Sequence, residues 1–331
     1  MKAAKCVAYG DLSDTVQIHD VARPIPAADE VLVSIRAASI NVSDLVMLLG
    51  RPLATRFMSG WARPKPIVVG HDFAGVIAAV GANVSNFTEG QAVFGVCKGA
   101  CAEFACVAPS RLAIKPDNLT FEEAACLPVA GVTALQGLRD VGRLKAGDRV
   151  LVTGASSGVG TFAVQIAKAL GAHVTAVCGT TSVNLVRALG ADVLIDRHRQ
   201  NYTALGDRYD LFFDLTADRS LSVCRKSLAP AGRYVGAGVL AIQDSFIRIL
   251  SRVASLAARS RLAGQPFAMF VAKINPADLA TLAGLTAKGQ VRSLIDRTYP
   301  LDRAGEAFAY LAARHAHGKV AITVHGTETN C

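Results

Sequence analysis

The chain has 331 residues, of which 51% are apolar, and a formal net charge of +9. That length calls for about two domains with full cores. Its apolar stretches are broken by Gly, Arg or Asp before they near the roughly 20 residues of a membrane span, which argues against a transmembrane helix. The N-terminal Met1-Lys2-Ala3-Ala4-Lys5 runs straight into an alternating strand, unlike a signal peptide, so a cytoplasmic protein is expected. The positive charge suits an anionic small molecule. No Lys/Arg run with interleaved aromatics and no helix-turn-helix pattern points to nucleic acid.

In chain order, strands are predicted over Lys2–Tyr9, Thr15–Asp20, Glu30–Ser39, Ile67–Val80, Ala92–Val96 and Ala102–Val107, punctuated by Gly, Pro and Asn. This reads as a mostly β domain over residues 1–122. The segment Gly50–Pro66 is aromatic, basic and interrupted by Pro and Gly, as a loop would be. From Phe121 onward strands and helices alternate. Strands at 149–153, 173–178, 192–196, 209–214 and 232–238 predict a parallel, doubly wound sheet within a domain at 123–269. After Gly264 come a strand near Pro266–Ala272, a helix Pro276–Lys288, a strand Ser293–Tyr299, a helix Arg303–Arg314 and a strand Lys319–Val324. This tail, about 270–331, is expected to complete the first domain.

The most informative stretch is Asp148–Gly160, in which the strand Val150–Thr153 meets the turn Gly154-Ala155-Ser156-Ser157. Gly158 and Gly160 then open a helix running to Leu170, and a second strand follows at His173–Cys178. Strand, glycine turn, helix and strand in that order make a dinucleotide-binding unit, with the pyrophosphate on the free N–H groups of the helix end. An NAD-preferring site carries an acidic residue about 20 residues past the glycines. Here no Asp or Glu lies between Asp148 and Asp192. The second strand ends in Cys178-Gly179-Thr180-Thr181-Ser182, whose hydroxyls suit a 2′-phosphate. Arg197 either supplies charge to that phosphate or is a solvated surface group, and Arg187 reads as the latter. NADPH is therefore expected over NADH.

The eight cysteines, Cys6, Cys97, Cys101, Cys106, Cys126, Cys178, Cys224 and Cys331, form no C-x-x-C pair. They read as buried thiols in a reducing compartment, not as a zinc site. Asp244–Leu262 reads as an amphipathic helix bearing Arg248, Arg252, Arg259 and Arg261. It is expected to cover the sheet or to form a homodimer contact, in preference to a peripheral membrane contact.

Several motifs, in order, resemble the medium-chain dehydrogenase/reductase superfamily, and within it the zinc-independent quinone oxidoreductase branch that includes ζ-crystallin. They are Ala38-Ser39-Ile40-Asn41-Val42-Ser43-Asp44, Gly70-His71-Asp72-Phe73-Ala74-Gly75-Val76, Leu127–Ala134, the glycine turn, Leu189-Gly190-Ala191-Asp192 and Gly318-Lys319-Val320-Ala321-Ile322. The resemblance covers essentially the whole length. It implies a GroES-like, mostly β catalytic domain plus a Rossmann domain, with the active site in the cleft between them. Zinc members of the superfamily bind the catalytic metal through Cys, His and Cys; those positions correspond to Asn41, His71 and Val129. One ligand of three remains, so catalytic zinc is not expected.

Without a metal, simple alcohol oxidation is disfavoured, whereas quinones and α,β-unsaturated carbonyls are already polarised acceptors. Asn41 is the first candidate to hydrogen-bond the developing oxyanion, with a turn-holding role beside Asp44 as its alternative. Asp44 is expected to fix that loop, and His71 either packs against backbone or lines the cleft. Phe57, Met58 and Trp61 form an apolar acceptor pocket or a local cluster. By resemblance, Thr133 lies near the nicotinamide or its phosphates, Ser156, Ser157, Gly158, Val159 and Gly160 hold the pyrophosphate, and Thr180, Thr181 and Ser182 surround the adenosine ribose. Arg197 stands where many relatives carry Tyr. Leu215, Thr216, Gly236, Ala237 and Gly238 line the cofactor, and Phe270, Val271 and Lys319 close on it. The expected activity is NADPH-dependent reduction of a quinone or enone. Two alternatives are a biosynthetic reductase or cyclase acting on one natural-product intermediate, and an NADPH-binding protein with little turnover that serves as a redox sensor or structural partner.

Overall fold

The computed structural model describes residues 1–51, 53, 56–61, 64, 67–237 and 266–324. Gly238, the segment Asp244–Leu262 and Cys331 lie outside the described residues, as does the side chain of Met58. The chain divides into two compact units, Met1–Val132 with Lys273–Cys331, and Thr133–Ala272. Those limits lie ten and three residues beyond the ones read from sequence, and the first falls inside the continuous helix Pro128–Gln136.

Strands of the first unit are β1 (Lys2–Cys6), β2 (Val16–Asp20), β3 (Val31–Ile40), β4 (Ile67–Val68), β5 (Asp72–Val80), β6 (Ala92–Val96), β7 (Phe104–Val107) and β8 (Leu112–Ile114). The tail adds β15 (Ile295–Pro300) and β16 (Lys319–Thr323). Among the described residues one sheet has the order β15-β16-β3-β5-β6-β8, with β7 also paired to β3; a second runs β2-β1-β4. β3 is buried except at Ser34 and Arg36, which are half-buried, and its Val, Leu, Ile and Ala residues suit a central strand. The tail therefore enters this unit as a strand beside β3, not as a separate layer.

Sequence reading ran Ile67–Val80 together as one strand, but Gly70 at φ +86° breaks it. The left-handed backbone there turns the chain between β4 and β5 and sets Gly70 against Cys101, where a side chain would collide with the Cys101 sulfur. Thr15, expected to start a strand, instead ends a one-turn helix, Leu12–Thr15, capped by Asp11. Four residues carry too little periodicity for that turn to be read. Arg56–Ser59 likewise forms a short helix inside the expected loop.

The second unit carries β9 (Arg149–Thr153), β10 (His173–Cys178), β11 (Val193–Asp196), β12 (Tyr209–Asp214), β13 (Leu228–Ala237) and β14 (Phe267–Phe270). They form one parallel sheet in the order β11-β10-β9-β12-β13-β14. The order reverses at β9, so the ligand crevice of this doubly wound sheet opens at the carboxyl ends of β9 and β12. Below it, Leu151, Tyr202, Phe212, Tyr234 and Phe267 pack into a buried cluster. No helix among the described residues is long and apolar enough to cross a membrane.

Candidate active site

Three strand ends meet in the first unit. β3 pairs with β16 through Ile40 and Val320, and with β5 through Ser39 and Asp72. This register brings Asn41, just past β3, to Asp72 at the start of β5 and Lys319 at the start of β16. The Lys319 ammonium donates to Asn41 Oδ1 (2.5 Å), to the Ile40 carbonyl (3.3 Å) and to Asp72 Oδ2 (3.4 Å). Asn41 Nδ2 donates to Asp72 Oδ2 (2.9 Å), and the Val129 amide donates to Asp72 Oδ1 (3.1 Å). Asp72 is fully buried and Lys319 is 3% exposed. Two ions this deep persist because hydrogen bonds fill their remaining positions. Burial pushes the Asp72 carboxyl above its ordinary range.

A helix, Val42–Leu49, starts directly after Asn41. Asp44 in its first turn accepts the Asn41 backbone N–H at Oδ2 (2.7 Å), and its Oδ1 makes a short contact with His71 Nδ1. The Asp44 carboxylate is buried, whereas the His71 ring is 49% exposed. The bond to Asp44 raises the imidazole pKa; burial opposes that rise, the charges of Asp44 and Asp72 add to it, and Arg111 opposes it.

This donor set does not fit a catalytic zinc ion. Val129 contributes a hydrocarbon where the second cysteine would stand, and Asn41 is held between an ammonium and a carboxylate. A divalent cation there would face Lys319 at close range. Among the described residues no group of three or more His, Cys, Asp or Glu side chains is arranged to hold a metal ion. The seven described cysteines form no disulfide, and burial raises the thiols of Cys97 and Cys101, and that of Cys126 to about 11.

In the second unit the helix Gly158–Ala169 starts at the carboxyl end of β9. Ser157 is its N-cap, its Oγ accepting the Gly160 N–H (3.1 Å). The Gly158 and Val159 N–H groups have no intrahelical acceptor, which leaves an anion cradle. Ser157→Ala is expected to lower stability by about 1 kcal/mol, read from urea denaturation; an unchanged midpoint would show that the hydroxyl does not cap the helix.

Asp214, at the end of β12, is a residue sequence reading missed. Its Oδ1 accepts from Thr153 Oγ1 (2.7 Å), the Thr216 amide (3.0 Å), the Ala217 amide (2.9 Å) and Thr216 Oγ1 (3.2 Å), and its Oδ2 from Tyr234 (2.7 Å). One buried carboxylate thus ties the strand leading into the glycine turn to the Leu215-Thr216 loop. Asp196 was missed as well. Parallel pairing sets it opposite Cys178, and its Oδ2 accepts from Thr180 Oγ1 (2.7 Å). An acidic group therefore does stand at the end of the second strand, supplied by the third. Arg199 pairs with it at 3.5 Å, and Arg197 is exposed next to it.

Other expected site residues are distributed less tightly. Thr180 and Thr181 are exposed, whereas Ser182 is buried, as is Thr133. Leu215, Thr216 and Phe270 are half-buried, Gly236 and Ala237 are buried in β13, and Val271 is 88% exposed. Phe57 and Trp61 pair with each other, ring centroids 5.1 Å apart, and both are largely exposed. Lys319, expected against the cofactor, directs its donors into the Asn41–Asp72 network.

Residues 27–118 match the alcohol dehydrogenase GroES-like domain and residues 189–322 the zinc-binding dehydrogenase domain. A 2-methylene-furan-3-one reductase of Solanum lycopersicum is 32% identical over 336 residues, covering 97% of this chain and 79% of that protein. The chain belongs to the medium-chain dehydrogenase/reductase superfamily. Its place there is the zinc-independent quinone oxidoreductase branch, and it is an oxidoreductase. An NADPH-dependent alkenal/one oxidoreductase of Arabidopsis thaliana is 30% identical over 97% of this chain and 79% of its own length. The solved quinone oxidoreductase of Coxiella burnetii superposes with a TM-score of 0.84 at 26% identity, over 98% of this chain and 99% of that one. These matches support the GroES-like and Rossmann architecture expected from the motifs.

Proposed function

We propose that this reductase delivers hydride from NADPH to a quinone or an α,β-unsaturated carbonyl without a metal. The observation carrying this reading is the pairing of Asn41 with Lys319 and Asp72 where zinc relatives place a ligand. Relatives named for quinone, furanone and alkenal/one reduction point the same way.

NADPH, when bound, supplies the hydride. Its pyrophosphate would rest on Ser156, Ser157, Gly158, Val159 and Gly160, with Leu215 and Thr216 beside it. Asn41 keeps its second Nδ2 hydrogen beyond the bond to Asp72. That hydrogen is the donor for an enolate or phenolate oxygen, and the neighbouring Lys319 ammonium stabilises negative charge there. With Asp196 paired to Thr180 and Arg199, the 2′-phosphate would rest on Arg197 and Thr181.

Chelator-treated protein should consume NADPH with quinones or enones and be slower with NADH. Loss of activity in chelator would overturn the metal-free reading, and equal rates with NADH would overturn the cofactor assignment. Arg197→Ala is expected to raise KM for NADPH about 10- to 150-fold with little change for NADH, since one charge-assisted contact to phosphate is worth about 1.5–3 kcal/mol. A KM shift of equal size for both cofactors would remove Arg197 from the 2′-phosphate.

A further inference from the structure

The network around Asn41 holds four titratable groups, and three of them are sealed. Asp72 is fully buried, Asp44 and Lys319 are nearly so. His71 alone among these four reaches solvent. Its Nδ1 faces Asp44, so the Nδ1 hydrogen is assigned to that bond. Nε2 has no partner among the described residues and carries the transferable proton. Asp44 holds the Asn41 backbone with its other oxygen, so a single carboxylate orients both His71 and Asn41.

We propose that His71 is the proton donor to the reduced acceptor, with Asp44 as its positioning residue. The assignment rests on the reading above, in which the acceptor oxygen lies on Asn41. In an enone, the C=C π bond breaks as hydride from the reduced nicotinamide forms the β-carbon–hydrogen bond. The displaced electron pair moves onto the α-carbon and carbonyl oxygen as an enolate, which Asn41 stabilises. The α-carbon then takes the Nε2 proton, and the N–H electron pair stays on the imidazole. His71 is left neutral, still donating to Asp44 from Nδ1, and recovers a proton from water at its exposed edge. The acceptor gains one hydride, which carries both electrons, and one proton; the nicotinamide is oxidised.

Asp44 supports this role by stabilising the imidazolium, as do the charges of Asp44 and Asp72; burial and Arg111 oppose it. Lys319 faces Asp72 within the same network and tempers that carboxylate's influence. Because the folded-state pKa is raised, the donor is charged below its midpoint and lost as pH rises through it. Enone reduction should therefore fall on the alkaline side.

Three readouts test the assignment. In NMR of protein labelled with 15N-histidine, the His71 ring should titrate above the ordinary value near 6.5, and Asp44→Asn should lower that midpoint. For an enone substrate, kcat should fall with rising pH through the same midpoint. His71→Asn should reduce kcat by about 10²–10⁴-fold and remove that limb. In D2O the wild type should deuterate one face of the α-carbon, and His71→Asn both faces, which a merely structural role would not cause.

An unchanged rate, pH limb and deuteration face in His71→Asn would overturn the proton-donor role while leaving the reductase reading intact. A wild type that reduces no enone would overturn the reading beneath it instead. A His71 midpoint at or below the ordinary value would overturn the dyad without recourse to any variant.

Discussion

Lys319→Met is expected to lower unfolding free energy by about 3–5 kcal/mol, because it strands a buried carboxylate. Asp72 keeps the Asn41 and Val129 donors in that variant, but both are neutral. The double variant Lys319→Met/Asp72→Asn should recover most of the loss: the new amide's carbonyl can accept the Val129 N–H, and its NH2 can donate to Asn41 Oδ1 once the Asn41 amide, released from Lys319, turns over. The deficit should also depend on pH. Burial already holds the Asp72 carboxyl above its usual range, and Lys319 is the strongest interaction opposing that rise. Without the ammonium, the folded-state pKa climbs further above the unfolded value near 3.9. A raised folded pKa means that the folded state retains the proton, so stability is recovered toward low pH and lost as pH rises through the folded value. Urea denaturation at pH 5 and pH 8 would read this directly. A deficit under 1 kcal/mol at pH 8, or one equal at both pH values, would show that the pair does not hold the three strand ends together.

What could be read from sequence was local. Residues 148–160 carry strand, turn and helix within thirteen positions, and glycines and a capping serine specify that path without distant contacts. The Asn41–Asp72–Lys319 network is different in kind. Lys319 lies 247 positions from Asp72, and only the β16-β3-β5 register joins them. Nothing near Lys319 in the chain reports an acidic partner, so it was assigned to the cofactor on resemblance alone.

The acidic residue beside the end of the second strand was hidden for a related reason. A search along the chain for Asp or Glu after the glycines ends at the second strand, and the interval 149–191 does lack one. The parallel pairing of Cys178 with Asp196 then supplies the carboxylate sideways, from the neighbouring strand. Asp214 resisted reading because an Asp closing an apolar strand looks like a simple strand end. Its role exists only once Thr153, Thr216 and Tyr234 are folded around it.

Gly160→Val is expected to raise the Kd for NADPH at least about 100-fold, or about 2.7 kcal/mol. A Cβ at position 160 would overlap the Gly154 carbonyl oxygen and stand 2.8 Å from the Ala155 backbone. Backbone cannot yield as the end of a flexible side chain can, so the first turn of the helix must lift from β9. That displacement carries the Gly158 and Val159 N–H groups with it and dismantles the anion cradle. Overpacking of this kind also costs about 1–3 kcal/mol of stability, so thermal unfolding should accompany the binding titration. Ser156→Ala, which leaves the backbone path unaltered, should weaken binding less than tenfold. If the two variants weakened binding equally, hydroxyls rather than backbone amides would be holding the pyrophosphate. If Gly160→Val bound NADPH as tightly as the wild type, the cofactor phosphates would lie somewhere other than this helix end.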